Sequence, residues 1–460
     1  MNINYEQKVK DWDNFYRINN YYHKSLESYL KLLIPEDAKV LEFGCRKGEF
    51  LNSLENIDKT GVDYYEFIKH LKKSKSWNYV DYRHVGGLKK RFDYIILSDT
   101  LSELENIQSF IGDIAGFCHD QTKVIVLSYN YLWKPILDLS SFIGLHMKPI
   151  KEPNWLTEQD IDNIFSLEHF EKVKSAKFFF FPYNLGILSE LLNKYLSRLP
   201  VIDRLCLQNV IVYQPLKGKS EYSVSLVIPA RNEAGNIKGV LKKIPVMGKK
   251  TEVIFVEGNS KDNTFKAIND EIINYKGPIK ASLYKQKGKG KGDAVRMGFS
   301  KAKNDLLMIL DADLTVDPME LTKFYQAVSD GKGEFVMGSR LVYPMEKQAM
   351  RTLNYIGNKF FSITFSYLLG QKVKDTLCGT KVILKENYEK IKKNRSYFGD
   401  FDPFGDFDLI FGASKLNLKI IEIPVRYKQR TYGETNISRF KHGLLLLKMS
   451  LFAAIKLKFI

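Results

Sequence analysis

Two carboxylates, Asp311 and Asp313, close an apolar run, Leu306-Leu307-Met308-Ile309-Leu310. The run reads as a buried strand, and an extended segment sends residues i and i+2 to the same side. Two acids placed so beside an apolar core repel each other unless a cation lies between them. Mg²⁺ or Mn²⁺ suits the pair, because hard cations prefer carboxylate oxygen and leave room for phosphates. The plain alternative is a solvated loop that happens to carry two acids. Three more segments have chemistry to offer. Val224-Ser225-Leu226-Val227-Ile228 reads as a strand that breaks at Pro229 into a polar turn with Arg231 and Glu233. Val253-Ile254-Phe255-Val256 reads as a second strand, ending in Glu257-Gly258 and followed by Asp262. Gln286-Lys287-Gly288-Lys289-Gly290-Lys291 is a basic glycine loop that opens a helix.

Strand ends on one edge of a parallel sheet converge, so these segments can build one pocket. It would hold acids for a base and ribose, lysines for phosphates, and a metal. Such a set suits a sugar nucleotide.

The positioning elements follow from the pattern of the whole chain. At 460 residues it needs more than one domain. Short β-rich runs alternate with longer amphipathic stretches throughout, the pattern of βαβ units and a mostly parallel sheet. The expected organisation is α/β in two tandem domains, residues 1–215 and 222–442. A polar linker at 216–221 joins them, and an apolar helix at 443–460 follows. That last segment carries Lys448, Lys456 and Lys458, which argue against a membrane-spanning helix and allow one lying on a membrane surface. The balance of 70 Lys+Arg against 53 Asp+Glu gives a net charge of +17, which suits an anionic partner. No nucleic-acid recognition motif is seen, so nucleic acid is excluded as that partner. Cys45, Cys118, Cys206 and Cys378 are too widely spaced for a zinc knuckle or a disulfide framework. With no secretory signal visible, the expected location is cytoplasmic, with peripheral contact at the inner face of a membrane.

In the first half, Lys39-Val40-Leu41-Glu42-Phe43-Gly44-Cys45-Arg46-Lys47-Gly48 is strand then glycine turn, and Gly61-Val62-Asp63 ends a second strand in an acid. The order resembles class I S-adenosylmethionine-dependent methyltransferases, a Rossmann-like sandwich. The terminal hairpin would then be 176–181 with 209–212. The resemblance implies S-adenosylmethionine held by Glu42, Gly44, Gly48 and Asp63. Arg46 stands where that family usually has glycine, and a long cationic side chain there would crowd the cofactor. His23, Tyr22 and Tyr131 are candidates for chemistry in this half, although lone His and Tyr residues are more often structural.

The second half resembles glycosyltransferase family 2, in particular polyprenyl-phosphate glycosyltransferases of the dolichyl-phosphate mannosyltransferase type. Met337-Gly338-Ser339-Arg340, Arg351, Asp375-Thr376-Leu377-Cys378-Gly379-Thr380 and Arg430-Thr431-Tyr432-Gly433-Glu434-Thr435 carry the likeness along with the segments above. The whole chain also resembles bacterial fusions of a methyltransferase-like domain with such a transferase.

The likeness implies a glycosyltransferase A-type fold and an inverting, metal-dependent transfer from a UDP- or GDP-sugar to a lipid-phosphate or glycan acceptor. It assigns Pro229, Arg231, Glu233, Glu257, Asp262 and Lys291 to the nucleotide sugar, and Asp311 and Asp313 to the metal. Arg340 and Arg351 are assigned to phosphates. Gly258 replaces that motif's usual second acid, and Thr315 stands where an amide is common. A hydroxyl acceptor would need a base, for which Asp406 or Asp408 is the choice within the acid-rich run at 398–409. Methyl transfer by the first half and a non-catalytic nucleotide-sugar scaffold are the alternatives.

Overall fold

The computed structural model describes residues 5–69, 76–144, 154–343, 352–393, 395, 405–430, 432 and 439–459. Two compact units divide the chain after Leu216. The polar stretch expected as a linker is part of the second unit. Lys217 Nζ pairs with the buried Glu334 at 2.8 Å, and Ser220 N donates to Ser329 O at 2.8 Å.

The first unit is built on seven strands: β1 Val40–Phe43, β2 Lys59–Asp63, β3 Asn78–Asp81, β4 Phe92–Ser98, β5 Cys118–Tyr129, β6 Phe170–Phe178 and β7 Gln208–Pro215. Their order is β3-β2-β1-β4-β5-β7-β6. The first five pair in parallel, and β7 runs antiparallel to both β5 and β6. Helices cover both faces, so successive strand residues are all buried but in different cores. Leu41, Phe43, Ile95 and Leu97 face one core; Val40, Tyr94 and Ile96 face the other. The terminal hairpin differs in its first arm. That strand begins at Phe170 and ends at Phe178, and the phenylalanine run leaves the sheet at Phe179, which turns with φ +70° and stays buried. The aromatic run marks the strand's exit because its side chains fill the core from a turn rather than from alternating pleats.

The second unit adds β8 Val224–Ala230, β9 Thr251–Glu257, β10 Lys280–Lys285, β11 Leu306–Ile309, β12 Phe335–Ser339, β13 Lys381–Leu384 and β14 Ile420–Pro424. Their order is β10-β9-β8-β11-β13-β12-β14. Strands β10, β9, β8 and β11 are parallel, whereas β13 runs antiparallel between β11 and β12. The register sets Ala230 beside Glu257, and Glu257 beside Lys285, so three strands end abreast. β11 pairs Ile309 with Val227 and then leaves the sheet. Because β13 is antiparallel, it enters at the edge where the others finish, with Lys381 beside Ile309. The loop preceding it therefore arrives at the strand ends.

One face of this sheet packs Val224, Leu226, Ile228, Leu306 and Met308 into a core with Leu241, Phe255 and Phe324. The helix Lys291–Lys301 lies against β8 through Gly298, where an added Cβ would sit 2.3 Å from Val227 Cγ1. Gly298→Ala is therefore expected to lift this helix and destabilise the protein by about 1–3 kcal/mol, the usual cost of overpacking. Denaturant unfolding should show that loss, and the double variant Gly298→Ala/Val227→Ala should recover part of it; a loss unchanged by Val227→Ala would rule out this contact as the cause.

Candidate functional site

At the end of β11 the chain does not stay extended. It turns at 312–314, with Leu314 at φ +51°, and Leu314 N donates to Asp311 O at 3.1 Å. The expectation that Asp311 and Asp313 face one side of a strand is thus corrected: the turn aims them at different partners. Asp311 Oδ1 pairs with Lys291 Nζ at 2.5 Å, and Asp313 Oδ2 with Arg430 Nη2 at 2.6 Å. Asp313 Oδ1 accepts from the Thr315 hydroxyl at 2.9 Å and from Thr315 N at 3.2 Å, which fixes the turn.

Each cation reaches its acid for a structural reason. Lys291 opens its helix beyond Gly290, at the level where β8 and β9 finish. Arg430 arrives on the strand-like segment after β14, which is tied back by Lys428 N to Thr315 O at 2.9 Å and by a Val316–Tyr427 bridge. Asp311 also needs a gap in the facing loop. A Cβ on Gly379 would lie 2.0 Å from Asp311 Oδ2 and 2.5 Å from Lys291 Nζ, so only glycine lets the backbone approach this pair. Burial would raise the Asp311 carboxyl, but Lys291 outweighs it, helped by Lys381 and Arg340, and the pKa is lowered.

Glu233 completes the cluster. Its carboxylate takes Arg430 Nη1 at 3.3 Å on one oxygen and Asn236 Nδ2 at 2.6 Å on the other. Burial nevertheless pushes its pKa up to about 7; Asn236 and Arg430 oppose the rise, and the charges of Asp313 and Asp311 add to it. Glu257 and Asp262 order the neighbouring turns. Glu257 accepts from Ser260 N at 2.5 Å, while Asp262 accepts from Thr264 N at 3.1 Å, from Ala234 N at 3.3 Å and from Tyr432 Oη at 3.4 Å. Pro229 lies within β8, and Arg231 is exposed on the loop that follows. The position of the missing acid is explained: a Cβ on Gly258 would crowd Arg231 Cβ at 3.1 Å and Gln286 Oε1 at 3.2 Å. Gln286 fills that space, donating to Gly290 O at 2.8 Å and to Asp293 Oδ2 at 2.9 Å.

Three calls change. Arg340 was expected on a phosphate, but its fork is filled by the fully buried Asp375, at 2.7 Å from Nε and 2.8 Å from Nη2. It braces the loop that carries Gly379. Asp406 and Asp408 are not alternatives for one job. They share a helix, Asp406–Lys415, and residues two apart on a helix point roughly 200° apart. Asp406 faces inward and pairs with the buried Lys381 at 2.6 Å. Asp408 faces away, near Arg296 at 3.8 Å and Arg395 at 3.6 Å. Arg351 lies outside the described residues, as do the other two acids of the 398–409 run. Reading the sequence missed Arg430, Lys381, Gln286 and Asn236 as site residues. Arg430 and Gln286 had a signal, since each opens a quoted stretch; Lys381 and Asn236 are visible only once β13 and the helix Ala234–Ile237 are placed.

In the first unit, Gly44 turns with φ +74°, and a Cβ there would meet Ser98 O at 2.8 Å. Gly48 precedes the helix Glu49–Ser53. Glu42 is buried in β1 and accepts from Ser98 Oγ at 2.7 Å. Asp63 ends β2 and accepts from Arg46 N and Tyr64 N, each at 2.7 Å. The four cysteines are buried thiols outside any disulfide.

The class defined by the second unit is a mixed α/β domain with acids and cations gathered at the ends of parallel strands. Residues 225–392 match the family model Glycosyl transferase family 2, and residues 16–174 match the model Methyltransferase domain. The chain thus joins a glycosyltransferase family 2 region to a methyltransferase-like region. It is 26% identical over 223 residues to the glycosyltransferase AglJ of Haloferax volcanii, covering 48% of this chain and 68% of that one. To the dolichol-phosphate mannosyltransferase of Pyrococcus furiosus it is 26% identical over 218 residues, covering 46% of this chain and 59% of that one. The first half is similar in structure to a SAM-dependent methyltransferase of Thermotoga maritima, at TM-score 0.35 and 14% identity, covering 46% of this chain and 97% of that one.

Burial pushes Glu42 up to about 8, against the Ser98 hydrogen bond. An acid whose folded pKa is raised costs nothing while it is protonated in both states. Its penalty grows as pH rises from the ordinary carboxyl range to about 8. Glu42→Gln cannot ionise, so its melting temperature should gain on the wild type between pH 5 and pH 9. Differential scanning calorimetry across that range checks this; a constant difference would contradict it.

Proposed function

We propose that the chain is an inverting glycosyltransferase that moves a sugar from a UDP- or GDP-sugar to a lipid-phosphate or glycan acceptor. One observation carries the reading: Asp311 and Asp313 end β11 at the sheet edge with Lys291 and Arg430 reaching them from separate segments. The similarity to an enzyme named for dolichol phosphate favours a lipid-phosphate acceptor.

The two carboxylates have the chemistry a hard divalent cation takes, while among the described residues no group of three acid, His or Cys ligands is gathered there. Asp311 is 37% exposed at its side chain, and both acids offer the oxygen donors such an ion prefers. Asp311 and Asp313 would hold Mg²⁺ or Mn²⁺, which when bound would neutralise charge on a nucleoside diphosphate. The chain's own residues supply the rest. Pro229, Arg231, Glu233, Glu257 and Asp262 line the turns where a base and ribose would rest. Lys291 and Arg430 bring fixed positive charge to the place where a leaving diphosphate gains negative charge. A lipid phosphate is already an anion and attacks the anomeric carbon without a general base. A hydroxyl acceptor must lose a proton, and Asp406, whose oxygen Lys381 holds, is poorly disposed to receive it.

Asp313→Asn keeps the Thr315 turn but loses the charge that Arg430 pairs with. Transfer of radiolabelled sugar from UDP- or GDP-sugars to a polyprenyl phosphate should fall by roughly 10²–10³, and chelating the metal should do the same. Turnover retained in folded Asp313→Asn would sink the assignment.

Among the described residues, no helix is long and apolar enough to cross a membrane. The helix Arg439–Ala453 nonetheless exposes Leu444, Leu447 and Leu451, and Ile455 follows in the same row. We read this row, with Lys448 and Lys456 nearby, as a peripheral contact with an anionic membrane. Flotation with anionic vesicles should recover the wild type and lose Leu444→Glu/Leu451→Glu; equal flotation of both proteins would refute it.

A further inference from the structure

We propose that Arg46 occupies the place of the cofactor in the first unit and keeps S-adenosylmethionine out. A nucleoside cofactor in a methyltransferase-like unit must reach the acid at the end of β2 while lying along the glycine turn. Both features exist here, and both are taken. Asp63 is 4% exposed. One carboxyl oxygen accepts from Arg46 N and the other from Tyr64 N, with Arg46 Nη1 a further 3.9 Å away. Each oxygen already accepts one backbone N–H, and burial leaves little of the carboxylate for a ribose hydroxyl to reach.

The rest of Arg46 closes the strip between the strands. Its guanidinium crosses from Asp63 at the end of β2 to Glu103 beyond β4, where Nη2 meets Oε1 at 2.8 Å. On the way it lies over the Phe67 ring at 5.0 Å and the Trp12 ring at 5.6 Å. The residue is 7% exposed, so it is embedded and not draped over the surface. Its pKa is raised because Glu103 and Asp63 outweigh the cost of burial, so the positive charge is permanent. The sulfonium of S-adenosylmethionine would have to share this strip with that charge, and like charges in a buried place repel.

The N-terminal helix roofs the turn as well. Trp12 Nε1 donates to Glu49 Oε1 at 2.7 Å, and Lys47 Nζ pairs with Asp13 at 2.5 Å. What space remains lies beside Arg46. A cavity of about 130 Å³ is lined by Trp12, Arg46, Asp99, Glu103, Tyr129 and Trp155, among others. None of Glu42, Gly44, Gly48 and Asp63 is among its described lining residues. The four residues that the resemblance assigned to the cofactor therefore do not line this cavity, whereas Arg46 does. Arg46 holds φ +51°, a conformation glycine adopts freely, so the arginine sits in a turn that a glycine would leave unchanged and empty.

The experiment is calorimetric titration of S-adenosylmethionine and S-adenosylhomocysteine into the full chain, as wild type, Arg46→Gly and Arg46→Asn. Asparagine tolerates positive φ and is short, so it guards against a glycine variant that fails to fold. Circular dichroism confirms folding of each. The wild type should give no saturable heat up to about 1 mM ligand, and at least one folded variant should bind roughly tenfold or more tightly than that limit. Saturable binding by the wild type overturns the proposal, and so do folded variants that remain unable to bind.

Discussion

The second unit depends on pairing carboxylates at a sheet edge with cations from distant parts of the chain. Asp311 and Asp313 lie two residues apart, yet their partners are Lys291, upstream, and Arg430, far downstream. Neither acid could remain charged at the end of a buried strand without such a partner. Satisfying them requires the basic loop to open its helix at the strand ends, β13 to run antiparallel, and the segment after β14 to return along Thr315. The fold can be understood as the set of connections that makes these two pairs at once. Arg340 and Lys381 extend the same scheme by one layer, pairing with Asp375 and Asp406 to hold the loop whose Gly379 touches Asp311.

The first unit uses similar pairing to a different end. Asp63 also ends a parallel strand and is also met by an arginine, but that arginine comes from the adjacent glycine turn and is buried with it. Where the second unit's cations reach a partly open Asp311, the first unit's cation is sealed between two aromatic rings. An α/β strand end can thus be an open site or a closed joint, and the placement of one side chain decides which.

Much of this was legible in the sequence for identifiable reasons. Parallel strands announced themselves as short apolar runs because both faces of each sheet are covered, as Leu306–Ile309 and Val253–Val256 show. Glycines and acids at their ends marked the edge where chemistry gathers. Arg46 was visible as a departure. What the sequence hid was direction. Period-two reasoning put Asp311 and Asp313 on one side, but the turn at Leu314 lies outside that period. Asp406 and Asp408 looked equivalent until their helix separated them. Arg340 looked free because its partner, Asp375, comes 35 residues later and from a loop. Pairings of this kind are set by the assembled sheet, and local pattern holds no record of them.

Glu233 has one further consequence. A carboxyl poised at about 7 is close to half protonated at neutral pH. Any cation brought to Asp311 and Asp313 would lower that pKa and expel part of a proton. Loading of the site is then a proton exchange, and its heat should depend on the enthalpy of the buffer that takes the proton up. Mild acid would weaken it by occupying Glu233. The pocket would thus sense the acidity of its surroundings through a residue that need not touch the cation at all.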